Sequence, residues 1–178
     1  MSDYDYSSVG LALTRSFEGL RLQAYQDSAG VWTIGYGHTG PEVRAGQHIN
    51  EAEADALLRA DLGVAVKCVR QAVKFPLAQP QFDALVDFCF NAGRGNFLGS
   101  TLLRDVNRGD FASAVVQFGL WVHAGGHVLA GLVRRRAAEA AMFAGGSRAA
   151  SENLTPSTEV GVREPGSALA PNGGVTIA

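Results

Sequence analysis

With 178 residues, 47% of them hydrophobic and 18% charged, the chain has material for one domain with a sizeable core and is too apolar to be disordered. Its net charge of −2 supplies no long-range attraction to nucleic acid or to an anionic membrane surface. No apolar run is long enough for stable membrane insertion, and the N-terminus Met1-Ser2-Asp3-Tyr4-Asp5-Tyr6 is acidic where a secretory signal is basic and then apolar. Synthesis in a cytoplasm, with no export signal of the chain's own, is the expectation.

In chain order, Val9, Leu13, Phe17 and Leu20 recur at helical spacing behind Ser7 or Ser8 as cap, which predicts a first helix to about Glu18. Short extended pieces follow, Ala24-Tyr25-Gln26 and Val31-Trp32-Thr33-Ile34, joined by the turn-like Asp27-Ser28-Ala29-Gly30. They predict a small antiparallel sheet. Asn50 with Glu53 has the form of a capping box and opens a helix over about Glu51 to Lys74, stopped by Pro76. Cys68 on this helix and Cys89 on the next are too few for a disulfide framework and are read as buried thiols.

Pro80 in a first turn, then Phe82, Leu85, Val86 and Phe88, predict a strongly apolar central helix ending near Gly93. Ser100 caps 101–107, Asp110 caps 111–118, and a last helix runs from about Leu132 to Phe143 before Gly145-Gly146. From 147 the composition turns to Ser, Gly, Pro and Thr without periodicity. Residues 1–146 are thus expected to form one domain and 147–178 a flexible tail.

The chemistry concentrates between Phe17 and Thr39. Glu18 and Asp27 are nine residues apart, one closing a helix and the other in a turn, so both can face one cleft. Glycosidic bond cleavage needs such a pair, one carboxyl protonated for the leaving oxygen and the other ionised across the sugar. The helix dipole and the apolar neighbours Phe17, Leu20 and Leu22 are expected to favour a protonated Glu18. A Glu at a helix end is otherwise a solvated carboxylate, and Asp27 alone is as well explained as a turn former. Strand alternation lets the Thr33 hydroxyl point with Asp27 and orient an attacking water. Gly35-Tyr36-Gly37-His38 lacks the full dinucleotide fingerprint, and His38 has no Cys or His at ligand spacing, so no cofactor and no metal are expected. Arg134, Arg135 and Arg136 cannot all face one way on a helix; one is expected to turn inward and the others to be surface charge.

These motifs together resemble the phage-type lysozymes, the muramidases that phages use as endolysins. The resemblance rests on Glu18-Gly19-Leu20-Arg21-Leu22, Asp27, Thr33-Ile34-Gly35-Tyr36-Gly37-His38-Thr39, Phe90-Asn91-Ala92-Gly93, Trp121 and Gly131-Leu132-Val133-Arg134-Arg135-Arg136, and covers about residues 8–145. It implies an α+β lysozyme-like fold: a small β-containing lobe at about 20–50, a larger helical lobe at about 75–146 joined by the N-terminal helix, and the cleft between them. The implied reaction is hydrolysis of the β-1,4 bond between N-acetylmuramic acid and N-acetylglucosamine in peptidoglycan. Glu18 would be the acid, with Asp27 and Thr33 holding the water, for inversion with carboxyls roughly 6.5 to 9.5 Å apart. The resemblance also implies that His38 pairs with Asp61, that Arg135 approaches Glu18, and that Phe90 and Asn91 line the cleft. A monomer is expected, without nucleic-acid partner or membrane insertion, waiting in the host cytoplasm for a holin to open the way to the wall. A lytic transglycosylase, which needs no positioned water, and a non-catalytic glycan-binding relative are the competing readings.

Overall fold

The computed structural model describes residues 4–27 and 29–152, with side chains as far as 146. Helix α1 (Ser8–Phe17) starts where the Ser7 hydroxyl accepts the Gly10 N–H and ends where Glu18 turns to extended backbone. Three antiparallel strands follow in the order β1 (Arg21–Gln26), β2 (Trp32–Gly35) and β3 (His38–Thr39). Arg21 faces Gly35 and Tyr25 faces Thr33, so β1 takes four steps where β2 takes two. The surplus bulges away and pairs with 47–49 instead, through Ala24 N–H to Gln47 O and Ile49 N–H to Leu22 O, both 2.9 Å.

Helix α2 (Glu51–Ala72) carries the expected capping box, Asn50 N–H to Glu53 Oε2 at 2.7 Å and Glu53 N–H to Asn50 Oδ1 at 2.9 Å. One end of α2 packs on the sheet, where Ala24, Ile34 and Val43 form a minor core against Leu57 and Ile49. The rest borders the main core of the helical lobe. At the centre of that core is α3 (Gln79–Ala92), which ends at Gly93 with φ +90°, a conformation an L side chain resists. Its Phe88 meets Phe118 and Trp121 edge to face at 5.6 and 5.4 Å. Helices α4 (Arg94–Gly99), α5 (Thr101–Asn107) and α6 (Phe111–Phe118), the hairpin of β4 (His123–Ala124) with β5 (His127–Val128), and α7 (Ala130–Glu152) complete the fold. The result is the α+β arrangement of a small sheet lobe and a larger helical lobe.

Four features differ from the sequence reading. Strand β3, helix α4 and the β4–β5 hairpin were not anticipated, because stretches of two to six residues are too short to show a period. Helix α7 runs on to Glu152, through Gly145 and Gly146, and so extends into the stretch expected as tail. A Cβ at 146 would lie 2.9 Å from Gln81 Cγ and 3.2 Å from Gln81 N. Gly146 therefore serves a close approach of α7 to the start of α3, not a helix stop. Residues 153–178 lie outside the described residues. Among the described residues no helix is long and apolar enough to cross a membrane, and Cys68 and Cys89 are both buried and free.

Candidate active site

Glu18 and Asp27 bracket β1, the first preceding it and the second following it. An open groove of about 550 Å³ lies along the strand, lined by Leu20, Arg21, Leu22, Gln23, Ala24 and Tyr25. At one end Asp27 folds over its own turn: its Oδ1 accepts the N–H groups of Ala29 at 2.8 Å and Val31 at 2.9 Å. The Val31 carbonyl in turn accepts the Thr33 hydroxyl at 3.1 Å. A single peptide residue therefore holds both Asp27, which is exposed, and Thr33, which is buried. Thr33 sits opposite Tyr25 in the strand register, so the two side chains share a face.

At the other end the structure corrects the expected surroundings of Glu18. Its neighbours are charged as well as apolar: Arg135 Nη1 donates to Glu18 Oε1 at 2.7 Å, while the guanidinium lies 5.6 Å from the Phe17 ring centre. Leu22 is exposed and contributes little cover. Arg135 is itself locked from behind by Asp87, Nε to Oδ2 and Nη2 to Oδ1, both 2.9 Å. This is a bidentate pair in the dry interior. Thr14 adds a third donor to Asp87 at 2.7 Å, and the Tyr6 hydroxyl, which donates to the Gly10 carbonyl at 2.7 Å, lies 2.7 Å from the Thr14 oxygen. Burial on its own would raise the Asp87 carboxyl, but the bonds from Arg135 and Glu139 and the Arg135 charge outweigh it and hold it below the usual carboxylate range.

Two of the three consecutive arginines turn inward, not one. Arg136 is buried, donating to Glu139 Oε2 at 2.8 Å and to Asn91 Oδ1, with its guanidinium 4.7 Å from the Phe88 ring centre. Only Arg134 is surface charge. Asn91 is exposed at the end of α3, and Phe90 beside it is half-buried against the main core.

Asp83, Asp87 and Glu139 were not singled out in the sequence, although a signal was present. An aspartate in the apolar run Phe82 to Cys89 of a central helix needs a buried cation, and Glu139 stands three and four residues after two arginines. Asp83 has a structural task, accepting the Ser7 N–H and hydroxyl at 3.1 and 2.5 Å and so anchoring the start of α1 on α3.

His38 bridges the small lobe to α2. Its Nδ1 lies 2.9 Å from Asp61 Oδ2 and its Nε2 2.7 Å from Glu42 Oε1. Burial would lower the imidazole pKa, but the hydrogen bonds with Glu42 and Asp61 outweigh it and raise it above 6.5. A raised folded value means that the clamp stabilises fully below pH 6.5 and fades as pH climbs through the higher folded value. Thermal melts across that range are expected to show this decline in the wild type and not in His38→Gln; parallel curves would remove the clamp from the stability of the small lobe. Among the described residues no cluster of His, Cys, Asp and Glu is arranged to hold a metal ion.

A family model described as Phage lysozyme matches residues 15–139, a span that contains the groove, Glu18, Asp27, Thr33 and Arg135. The chain belongs to the phage lysozyme family. Within that family it is 42% identical over 141 residues to an endolysin of Acyrthosiphon pisum secondary endosymbiont phage 1, covering 77% of this chain and 96% of that one. It is also 42% identical to the endolysin of Bacillus phage PZA over 86% of its own length. The chain spans 60% and 65% of the lengths of the PZA and B103 Bacillus phage endolysins. Among solved structures, the muramidase domain of SpmX from Asticcacaulis excentricus superimposes with a TM-score of 0.73 at 44% identity, over 86% of this chain and 99% of that one. A mutant of P22 lysozyme gives 0.75 at 38% identity, over 79% and 99%. These lysozyme-like neighbours share the two-lobed α+β architecture described above.

Proposed function

We propose that this phage lysozyme is an endolysin that hydrolyses the β-1,4 bond between N-acetylmuramic acid and N-acetylglucosamine in peptidoglycan. The observation that carries the reading is the groove on β1 with a buttressed carboxyl before it and a carboxyl tied to a buried hydroxyl after it. In this reading Glu18 gives its proton to the bridging oxygen as the bond from that oxygen to the anomeric carbon breaks. Water adds to the carbon from the opposite face and passes its proton to Asp27, while Thr33 Oγ1, whose own proton goes to Val31, accepts a hydrogen bond from that water. The outcome is inversion. Phe90 and the Asn91 amide NH₂ border the sugar, and His38 with Asp61 keeps the strand behind Thr33 in place. The two lobes act as one catalytic unit and as a monomer.

Digestion of purified walls in isotope-labelled water tests the reaction class. Labelled reducing-end muramic acid supports hydrolysis, whereas 1,6-anhydro ends would establish a lytic transglycosylase. The configuration of the first-formed product, read by NMR, tests inversion. Thr33→Ala is expected to slow turnover by about 10- to 100-fold through a misplaced water; an unchanged rate removes Thr33 from the reaction. The proposal extends to access: the chain waits in the host cytoplasm until a holin opens the membrane. Active enzyme in the periplasm of intact cells expressing this chain alone would contradict that.

A further inference from the structure

Behind Glu18, three carboxyl groups share one cluster with two guanidiniums: Glu18, Asp87 and Glu139 with Arg135 and Arg136. The three carboxyls are unequally compensated, and a carboxylate oxygen left without a donor in a dry interior is costly. Asp87 accepts three bonds, two from Arg135 and one from Thr14. Glu18 accepts from Arg135 and keeps 26% of its side chain in water.

Glu139 is fully buried and accepts one short bond, from Arg136. Its Oε1 receives no donor among the described residues, and Arg135 Nε at 3.6 Å is too far for a hydrogen bond. Glu139 and Asp87 lie within hydrogen-bond reach of each other, where two carboxylates repel and only a proton makes a bond. Burial pushes the Glu139 acid up to about 10. Tyr6, through Thr14, and Asn91, on Arg136, are the other polar groups facing the cluster.

We propose that Glu139 is a positioning residue for Glu18: as a neutral acid it donates to Asp87, leaving Arg135 committed to Asp87 and Glu18 together. An ionised Glu139 would instead draw the Arg135 guanidinium toward itself and away from Glu18. The kinetic part of this inference rests on the reading of Glu18 as proton donor; the protonation part does not.

Carboxyl-labelled glutamate in the full chain, followed by NMR against pH, is expected to show one acid that stays protonated to about pH 10 and vanishes in Glu139→Gln. Its absence overturns the proposal. Glu139→Ala is expected to lower kcat about 10-fold with KM little changed, and Glu139→Gln, whose NH₂ donates to Asp87 as the acid does, to recover kcat to within about 3-fold. A Gln variant as impaired as the Ala variant would show an ionised partner of Arg136 and refute the inference. Melting curves serve even where Glu139→Ala does not fold. With a raised folded value the wild type loses stability relative to Glu139→Gln as pH rises between about 4.5 and about 10, and parallel curves count against it. A wild type without turnover in which the protonated acid is present would indict Glu18, not Glu139.

Discussion

Glu18→Gln is expected to lower turnover of purified walls by about 10²- to 10⁴-fold, the usual contribution of a positioned general acid. The amide has the volume of the acid, and its oxygen can accept the Arg135 N–H that now reaches Glu18 Oε1 at 2.7 Å. The contact survives while the transferable proton is lost. Because a quarter of the Glu18 side chain is in water, stability is expected to change by no more than about 1 kcal/mol. Turbidity clearing beside a thermal melt separates the two effects: normal clearing by a folded Gln variant would overturn the assignment of Glu18 as proton donor.

Asp87→Ala carries the largest expected cost in stability. Arg135 would keep Glu18 at its edge but lose the bidentate partner behind it, and Thr14 would lose its acceptor. Removing one partner of a buried ion pair strands a charge and costs about 3 to 5 kcal/mol, against a total of roughly 5 to 15. For a chain of this size that corresponds to a fall in Tm of roughly 6 to 20 °C. Asp87→Asn, which keeps one acceptor oxygen, is expected to fall between. A melt of Asp87→Ala within about 1 °C of wild type would show that the cation can be left alone, and with it the whole account of how Glu18 is held would fail.

Elements with a cap and a long period were legible before any coordinates. Asn50 and Glu53 marked the start of α2, Ser100 and Asp110 the starts of α5 and α6, and Ser7, one of two candidates, that of α1. The contact of His38 with Asp61 and that of Arg135 with Glu18 followed from the family resemblance, and both are present. What escaped was decided by tertiary contact. Gly145-Gly146 has the composition of a helix stop, yet a neighbouring residue, Gln81, needs the space. Arg136 reads as surface charge because its partners, Glu139 and Asn91, come from its own next turn and from another helix. Asp87 stayed hidden inside an apolar run because only the fold brings Arg135, forty-eight residues later, against it.

Because the Val31 carbonyl accepts from Thr33 and the Val31 N–H donates to Asp27, the aspartate and the threonine cannot be tuned one at a time. Lengthening the hairpin by a residue would swing both, and a graft that imports the aspartate without its following loop would import it unaimed. The segment from 27 to 33 is best treated as one inherited block, fixed in its length and at Gly30, whose φ of +80° an L side chain resists.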